Sequence, residues 1–115
     1  MNTLEALRAE LRAFVDEREW DQFHNPKNLV MALVAEAGEL VEHFQWLTPE
    51  EADRLNPQAL EEVSLEVADV LLLLLRLCDR LGVDPVEAAS RKLVLNRVKY
   101  PAEKARGKST KYDKL

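Results

Sequence analysis

Hydrophobic residues recur along most of the chain at the three- and four-residue spacing of α-helices, and no stretch shows a competing strand pattern. Two apolar segments, around residues 29–35 and 63–75, are wider than the single stripe of a surface helix. We therefore predict an all-α fold in which the two helices that contain these segments form the buried centre.

Proline and capping residues divide the pattern into separate helices, because proline suits the first helical position and follows a capping side chain well. Four such starts are visible: Asn25-Pro26, Thr48-Pro49, Asn56-Pro57 and Asp84-Pro85. Gly82 favours the left-handed backbone that ends a helix, and Pro101 blocks continuation beyond Tyr100. The predicted helices span residues 3–18, 26–46, 49–54, 57–81 and 85–99.

The short helix over 49–54 fits within a connection that returns the chain, so the long helices over 26–46 and 57–81 are expected to run antiparallel. With the flanking helices they would make a four-helix bundle-like protomer. A length of 115 residues suits one domain, which we place over residues 1–101. Residues 102–115 are rich in Lys and Arg and offer little that could pack, so we predict a mobile basic tail.

Charge and composition exclude several functional classes. Sixteen Lys and Arg against 21 Asp and Glu give a net charge of -5, which disfavours nucleic-acid binding. The lone cysteine, Cys78, lies in an apolar stretch and is expected to be a core residue. No apolar run approaches the ~20 residues of a membrane span, and the N-terminus lacks a signal-peptide pattern. We expect a soluble, cytoplasmic protein that does not bind membranes.

Carboxylates interrupt the two most apolar helices. Glu36 and Glu39 follow one apolar segment, whereas Glu66 and Asp69 lie within the other. Each pair is spaced i, i+3, which leaves the two side chains about 60° apart on one helix face. Antiparallel packing of the two helices would bring the pairs face to face.

Four anionic groups beside a hydrophobic core repel one another unless a cation neutralises them. Hard oxygen ligands favour Mg²⁺ or Mn²⁺, and Mg²⁺ commonly bridges carboxylates to substrate phosphates. Such acids could equally line the solvated edges of amphipathic helices. A di-iron site is disfavoured because it needs Glu-x-x-His motifs, whereas His43 lies four residues after Glu39.

Aromatic and basic residues flank these acids along the sequence. Trp20 and His24, beside Phe23, precede the helix over 26–46, and Trp46 lies at its far end. Large rings at helix ends could stack on a nucleobase, although a hydrophobic plug between helices explains Trp20 and Phe23 equally well. A second group lies toward the end of the last long helix and consists of Lys92, Asn96, Lys99 and Tyr100. Its members could face phosphate, or could serve only to complement the helix dipole.

Together these segments resemble the MazG-like all-α nucleotide pyrophosphohydrolases, and most closely the dCTP pyrophosphatase branch. The resemblance rests on WDQFHNPKNL at 20–29, EAGE at 36–39, FQW at 44–46, EVAD at 66–69 and NRVKYP at 96–101. It implies hydrolysis of a (deoxy)nucleoside triphosphate, such as dCTP or a modified dCTP, to the monophosphate and pyrophosphate. It also implies a homodimer or homotetramer with sites completed across subunits.

The resemblance also implies roles for individual residues. Glu36, Glu39, Glu66 and Asp69 would bind Mg²⁺; Trp20, His24 and Trp46 would flank the nucleoside; Lys92, Asn96, Lys99 and Tyr100 would face the phosphates. Leu73 departs from the pattern, because dCTP-preferring relatives carry a tyrosine four residues after the metal-binding aspartate.

For the catalytic step, one acid outside the tightest metal contact would orient the attacking water. We assign Glu39 as this base, with Glu36 as the second catalytic carboxylate, because Glu39 lies nearest the polar end of its helix. The alternative is a nucleotide-binding regulator or oligomeric scaffold that keeps the fold without turning substrate over. The presence of all four acids favours the enzyme.

Overall fold

The computed structural model describes residues 3–115, and within that range the chain is helical with no strand. It forms α1 (Leu4–Glu17), α2 (Pro26–Glu42), α3 (Pro49–Ala52), α4 (Pro57–Leu81), α5 (Pro85–Lys99) and α6 (Ala102–Ala105). Short 3₁₀ turns cover Asp21–Phe23 and Tyr112–Lys114. The predicted all-α class is confirmed. Among these helices, none has the length and apolarity needed to cross a membrane.

The four proline-marked starts are confirmed, because each preceding side chain caps its helix. The side-chain oxygens of Asn25, Asn56 and Asp84 each accept a hydrogen bond from the backbone N–H three residues on. Thr48 forms a full capping box, in which Glu51 also accepts from the backbone N–H of Thr48. These bonds satisfy N–H groups that a helix leaves free at its first turn, so local sequence is enough to specify the starts.

The predicted helix ends agree with the structure for α4 but not for α2. Gly82 ends α4 in the left-handed conformation, with φ of 68° and its N–H bonded to the carbonyl of Cys78, as predicted. The prediction that α2 continues to residue 46 is wrong, because α2 ends at Glu42. There the N–H of His43 bonds to the carbonyl of Leu40, three residues earlier, and this tighter 3₁₀-type turn ends the α-helix.

The described chain divides into two compact units, one ending at Gly82 and the other beginning at Val83. In the first unit, Leu11 and Val15 of α1 pack with Leu75 of α4 in a buried cluster. Cys78 is also buried, as expected for a core residue. This cluster holds α1 against the later half of α4.

Helices α2 and α4 make the most extensive helix contact in the first unit. Arg76, late in α4, bonds to His24 just before α2. Ala59, early in α4, lines the same depression as His43 at the end of α2. The two helices therefore run antiparallel, as predicted.

Only one side of each central helix is buried, so the expectation of a fully buried centre is only partly met. Leu29 of α2 and Val63 of α4 are buried. In contrast, Met31 and Val34 of α2 are 61% and 66% exposed, and Leu65 of α4 is 59% exposed. The broad apolar surface that the sequence predicts for each helix thus includes side chains that are exposed to solvent in this chain.

The second unit consists of α5 and the basic segment that follows it. Residues 102–115 contain more secondary structure than we predicted, namely α6 and a terminal 3₁₀ turn. The ring of Tyr112 meets Tyr100 edge-on with centroids 6.1 Å apart, and the Lys99 ammonium lies 4.8 Å from the Tyr112 ring centroid. Tyr112 is thus a packing residue that the sequence reading did not anticipate. Mobility of the segment stays a prediction.

Candidate active site

Three acidic side chains converge where α2 faces α4. Glu36 and Glu39, one turn apart on α2, and Glu66 on α4 each offer a carboxylate oxygen, and these oxygens lie within 4.8 Å of one another. We call these three residues the acidic cluster. The i, i+3 spacing of the α2 pair and the antiparallel packing of α4 together produce this convergence.

Asp69, the fourth predicted ligand, lies outside this mutual 4.8 Å group but close to it. Its negative charge contributes to raising the pKa of Glu36, and it lines the same pocket as Glu36. Its position one turn after Glu66 on α4 places it at the border between the acidic cluster and that pocket.

The protonation of Glu36 reflects this crowding. Hydrogen bonding to Glu39, then to Glu66, and then burial and the negative charges of Glu39 and Asp69 raise the pKa of Glu36 to about 7. Between the ordinary glutamate pKa of 4.5 and about 7, Glu36 of the metal-free chain therefore keeps a proton that an isolated glutamate would release.

Two buried carboxylate oxygens have no hydrogen-bond partner among the described residues, namely Oε2 of Glu36 and Oε2 of Glu66. Buried oxygens of this kind are costly to leave without a donor or a cation. A divalent cation would satisfy both oxygens and remove the repulsion between the carboxylates. Because all the donors are hard oxygens, the cluster fits Mg²⁺ or Mn²⁺.

An apolar pocket of about 210 Å³ opens beside Glu36 and Asp69. Its remaining lining residues are Leu11, Phe14, Val15, Trp20, His24, Leu72, Leu73 and Arg76. Pockets that bind small molecules typically combine apolar walls of this kind with a few polar groups. The structure thus brings two of the predicted nucleoside-flanking residues, Trp20 and His24, next to two of the predicted metal ligands.

The chain reversal after α1 positions these two rings. Glu19 adopts a positive φ of 54°, and the N–H of Trp20 bonds back to the carbonyl of Val15. The Trp20 ring consequently meets Phe14 edge-on, with centroids 5.6 Å apart, and lies 6.4 Å from the ring of His24. Phe14 was not singled out in the sequence, since one phenylalanine on an amphipathic helix carries no distinctive signal.

The other predicted aromatic residues do not join this pocket. Phe23 is 59% exposed and is not among the pocket-lining residues. Trp46, in the turns that follow α2, is 87% exposed and likewise does not line the pocket. A wall formed by Trp20 and Phe23 together is therefore excluded for this pocket, while Trp46 presents a free ring on the surface of the first unit.

A second group of charges begins at the pocket wall, with Arg76, and was missed by sequence reasoning. The buried Arg76 donates through Nε to Nδ1 of His24 at 3.2 Å, and through Nη2 to Asp21 at 2.7 Å. Asp79 accepts from Arg8 at 2.7 Å and from Arg12 at 2.8 and 3.0 Å. We call these side chains the arginine network. Its one sequence signal is the i, i+3 pair of Arg76 and Asp79 in an apolar helix.

The pKa values of the two carboxylates and of the histidine in the arginine network are lowered, whereas that of Glu36 is raised. Hydrogen bonding from Arg76 is the largest contribution to the lowered pKa of Asp21. Burial opposes ionisation of Asp79, but the hydrogen bonds and charges of Arg12 and Arg8 outweigh it and lower its pKa. Burial, followed by the positive charge of Arg76, lowers the pKa of His24.

The predicted phosphate-facing residues belong to the second unit. Lys92 and Lys99 are exposed on α5, and Asn96 is half-buried. Tyr100 caps α5 with its N–H bonded to the carbonyl of Asn96. The spacings of Lys92, Asn96 and Lys99 place them on one helix face, as predicted.

The MazG-like family model matches residues 31–115 of this chain. The chain belongs to the MazG-like family. Human dCTP pyrophosphatase 1 is 44% identical over 115 residues, covering 98% of this chain and 68% of that protein. The dATP/dGTP diphosphohydrolase of Cyanophage S-2L is 35% identical over 97 residues, covering 84% of this chain and 76% of that protein.

A solved member of this fold agrees with the helical architecture. The crystal structure of a pyrophosphatase from Archaeoglobus fulgidus superimposes with a TM-score of 0.77 at 43% identity, covering 85% of this chain and 92% of that one. The predicted MazG-like membership is thereby confirmed. The named relatives carry the class of activity that the sequence predicts, but they differ between pyrimidine and purine substrates, so membership alone does not fix a base.

Proposed function

We propose that this chain is a Mg²⁺-dependent nucleoside triphosphate pyrophosphohydrolase, which releases pyrophosphate and the nucleoside monophosphate. The observation that carries the proposal is the convergence of carboxylate oxygens from Glu36, Glu39 and Glu66 within 4.8 Å. An apolar pocket lined by Trp20 opens directly beside them. A cation site next to a pocket for a flat ring suits a nucleotide that carries several phosphates.

Glu36, Glu39, Glu66 and Asp69 would hold the metal. When bound, Mg²⁺ would supply positive charge that neutralises the triphosphate oxygens as negative charge develops on the leaving group. Glu39 is the exposed member of the acidic cluster. It would orient the attacking water and accept its proton, while the half-buried Glu36 anchors the cation.

The substrate we favour is a pyrimidine deoxynucleotide, dCTP or a modified dCTP. Support comes from the dCTP pyrophosphatases of human and cattle, which are 44% and 41% identical to this chain. Trp20 offers a flat face for the base, and His24 offers a polar group beside it. Leu73, which departs from the dCTP-preferring pattern, lines this pocket, so the preference for base and sugar is the part of the proposal that a panel of substrates must test.

The remaining residues would complete the site in a homodimer or homotetramer. The exposed apolar side chains of Met31, Val34 and Leu65 support burial against another subunit. In such an assembly the exposed Trp46 would flank the nucleoside. Lys92, Asn96, Lys99 and Tyr100 would contact the phosphates. We expect the enzyme to act in the cytoplasm on free nucleotides, with no nucleic acid or membrane as partner.

A pyrophosphate-release assay across the eight common ribo- and deoxynucleoside triphosphates, with and without Mg²⁺, tests the function directly. We expect Mg²⁺-dependent turnover that is fastest with dCTP. Turnover that is unaffected by chelation would reject the metal assignment. Nucleotide binding without any turnover would instead favour a non-catalytic regulator or scaffold.

A further inference from the structure

Arg76 is held in one orientation by carboxylates on both sides. Its side chain is only 7% exposed. Nη2 donates to Asp21 at 2.7 Å, and Nη1 donates to Asp79 at 3.5 Å. Because a guanidinium is planar, anchoring these two nitrogens also fixes the direction of the third N–H group, at Nε. That group points at Nδ1 of His24, 3.2 Å away.

The contact between Arg76 and His24 specifies the tautomer of the histidine. A guanidinium has only N–H donors and remains protonated in proteins, so it cannot accept a hydrogen bond from an imidazole N–H. Nδ1 of His24 must therefore present its lone pair to Arg76. In a neutral imidazole the single proton then lies on Nε2.

The surroundings of His24 favour this neutral form. Burial and the positive charges of Arg76 and Arg80 lower its pKa, and together they outweigh the opposing charge of Asp21. A doubly protonated ring would also direct an N–H group at the Nε–H of Arg76. Both effects select the neutral imidazole near neutral pH.

Nε2 is the nitrogen left for an occupant of the pocket. The His24 ring lines the pocket together with Trp20 and Leu73. Within residues 3–115, Nε2 has no hydrogen-bond partner, whereas Nδ1 is engaged. A fixed Nε2–H donor on a ring that lines an apolar pocket can recognise an acceptor atom at the edge of a flat ring.

We propose that Arg76 is a positioning residue for substrate recognition. It locks His24 in the Nε2–H form, so that His24 donates a hydrogen bond to a ring nitrogen or carbonyl oxygen of the bound nucleobase. This inference rests on the proposed nucleotide substrate and adds to it a chemical requirement, namely an acceptor on the base edge that faces His24.

The first test uses the wild-type chain of 115 residues and requires no catalysis. Long-range ¹H–¹⁵N correlation spectra of imidazole-labelled protein distinguish a protonated Nε2 from a protonated Nδ1. His43 is the second of the two histidines, so a His43→Gln variant assigns the signals. We expect His24 as a single Nε2–H tautomer at neutral pH. A ring protonated on Nδ1, or a mixture of both tautomers, would overturn the proposal.

The second test separates positioning from folding. Arg76→Met removes the donor to His24, and we expect KM for dCTP to rise roughly two- to tenfold, the range of one lost hydrogen bond, with kcat nearly unchanged. Arg80→Lys is the matched control, because Arg80 also bonds Asp21, at 3.1 Å, but makes no hydrogen bond to His24, and lysine keeps the positive charge near that ring. We expect the control to keep the wild-type KM. An equal rise in both variants would indicate a structural role only.

A double-mutant cycle then shows whether Arg76 acts through His24. In a His24→Ala background, Arg76→Met should cause no further rise in KM, because the group that it positions is gone. Additive increases would contradict the proposal. If Arg76→Met does not fold, the spectrum of the wild-type protein still shows which nitrogen of His24 is protonated and so tests the proposal. Absence of turnover by the wild-type protein would reject the proposed function, whereas turnover with a His24 protonated on Nδ1 would reject this inference alone.

Discussion

The acidic cluster and the arginine network both place charge inside the first unit, but they are built in opposite ways. In the arginine network each carboxylate has cationic donors, and the pKa values of Asp21 and Asp79 are lowered. In the acidic cluster the charges share one sign, two buried oxygens have no donor among the described residues, and the pKa of Glu36 rises to about 7. The paired charges fit a role in holding the fold together, whereas unpaired charges of one sign fit the cation site that we propose.

The largest effect expected from this contrast is on turnover. Glu39→Gln removes the proposed base, so kcat should fall roughly 100- to 10,000-fold while nucleotide affinity changes little. The measurement is steady-state pyrophosphate release together with equilibrium binding of dCTP in Ca²⁺. Glu61→Gln, an exposed acid on α4 outside the cluster, is the control and should retain wild-type kcat. Full activity in Glu39→Gln would assign the base to another residue.

In the arginine network the same kind of substitution should reduce stability instead. Asp79→Asn leaves three arginines without their shared carboxylate, and we expect a loss of roughly 3 kcal/mol in the free energy of unfolding. Urea unfolding monitored by circular dichroism provides the measurement. Glu87→Gln removes an exposed ion pair with Arg91, 3.7 Å apart, and should cost less than about 1 kcal/mol. Equal losses in the two variants would contradict a structural role for Asp79.

A smaller effect is expected in the pocket beside the acidic cluster. Trp20→Ala removes the flat wall, so KM for dCTP should rise roughly 5- to 100-fold, the range for one lost base-aromatic stack. Phe23→Ala truncates a neighbouring ring that is 59% exposed and outside the pocket lining, and should leave KM within about twofold of wild type, as is usual for exposed positions. A KM in Trp20→Ala equal to that of wild type would show that the base binds elsewhere.

The smallest expected effect is a difference in pH dependence. In the folded metal-free chain Glu36 keeps its proton up to a pKa of about 7, whereas its ordinary value is 4.5. Stability from this group is fully present below the ordinary value and is lost as the pH rises through about 7. Asp21 and Asp79 have lowered pKa values, so their contribution is present above the ordinary value of 3.8 and is lost as the pH falls through their folded values.

Thermal unfolding of the metal-free protein between pH 3 and 8 measures both the loss of stability toward neutral pH and the loss toward acid pH. We expect a decline in Tm from pH 4.5 to 7 that Glu36→Gln abolishes, and an acid decline that this variant retains. Adding Mg²⁺ should raise Tm most at the alkaline end, because a bound cation favours the ionised carboxylates. A Tm that is flat between pH 4.5 and 7 in the wild-type protein would contradict the crowding of the acids.

Local signals explain why much of the fold was predictable. The starts of α2, α4 and α5 each depend on a cap and a proline that are adjacent in sequence, such as Asn25-Pro26 and Asn56-Pro57. The end of α2 was not predictable in this way, because residues 43–46 contain no Gly or Pro that would mark the tightened backbone bonds found there. The exposed faces of α2 and α4 carry the same apolar pattern as buried ones, so periodicity alone overestimated the core.

The site was predictable to the extent that it depends on spacing within one helix. The convergence of Glu36 and Glu39 with Glu66 follows from i, i+3 spacing and an antiparallel return. The bond between Arg76 and His24 joins residues 52 positions apart, so only the folded chain reveals it. The family resemblance assigns both Trp20 and Trp46 to the nucleoside, but within the first unit only Trp20 lines the pocket, so the role of Trp46 stays a prediction.

Anomalous diffraction from crystals grown with Mn²⁺ and a non-hydrolysable dCTP analogue tests the central claim most directly. We predict an anomalous peak between the carboxylates of Glu36, Glu39 and Glu66, within bonding distance of the analogue's phosphates. A structure with the analogue bound and no peak between these three carboxylates would contradict the assignment of the acidic cluster as the metal site.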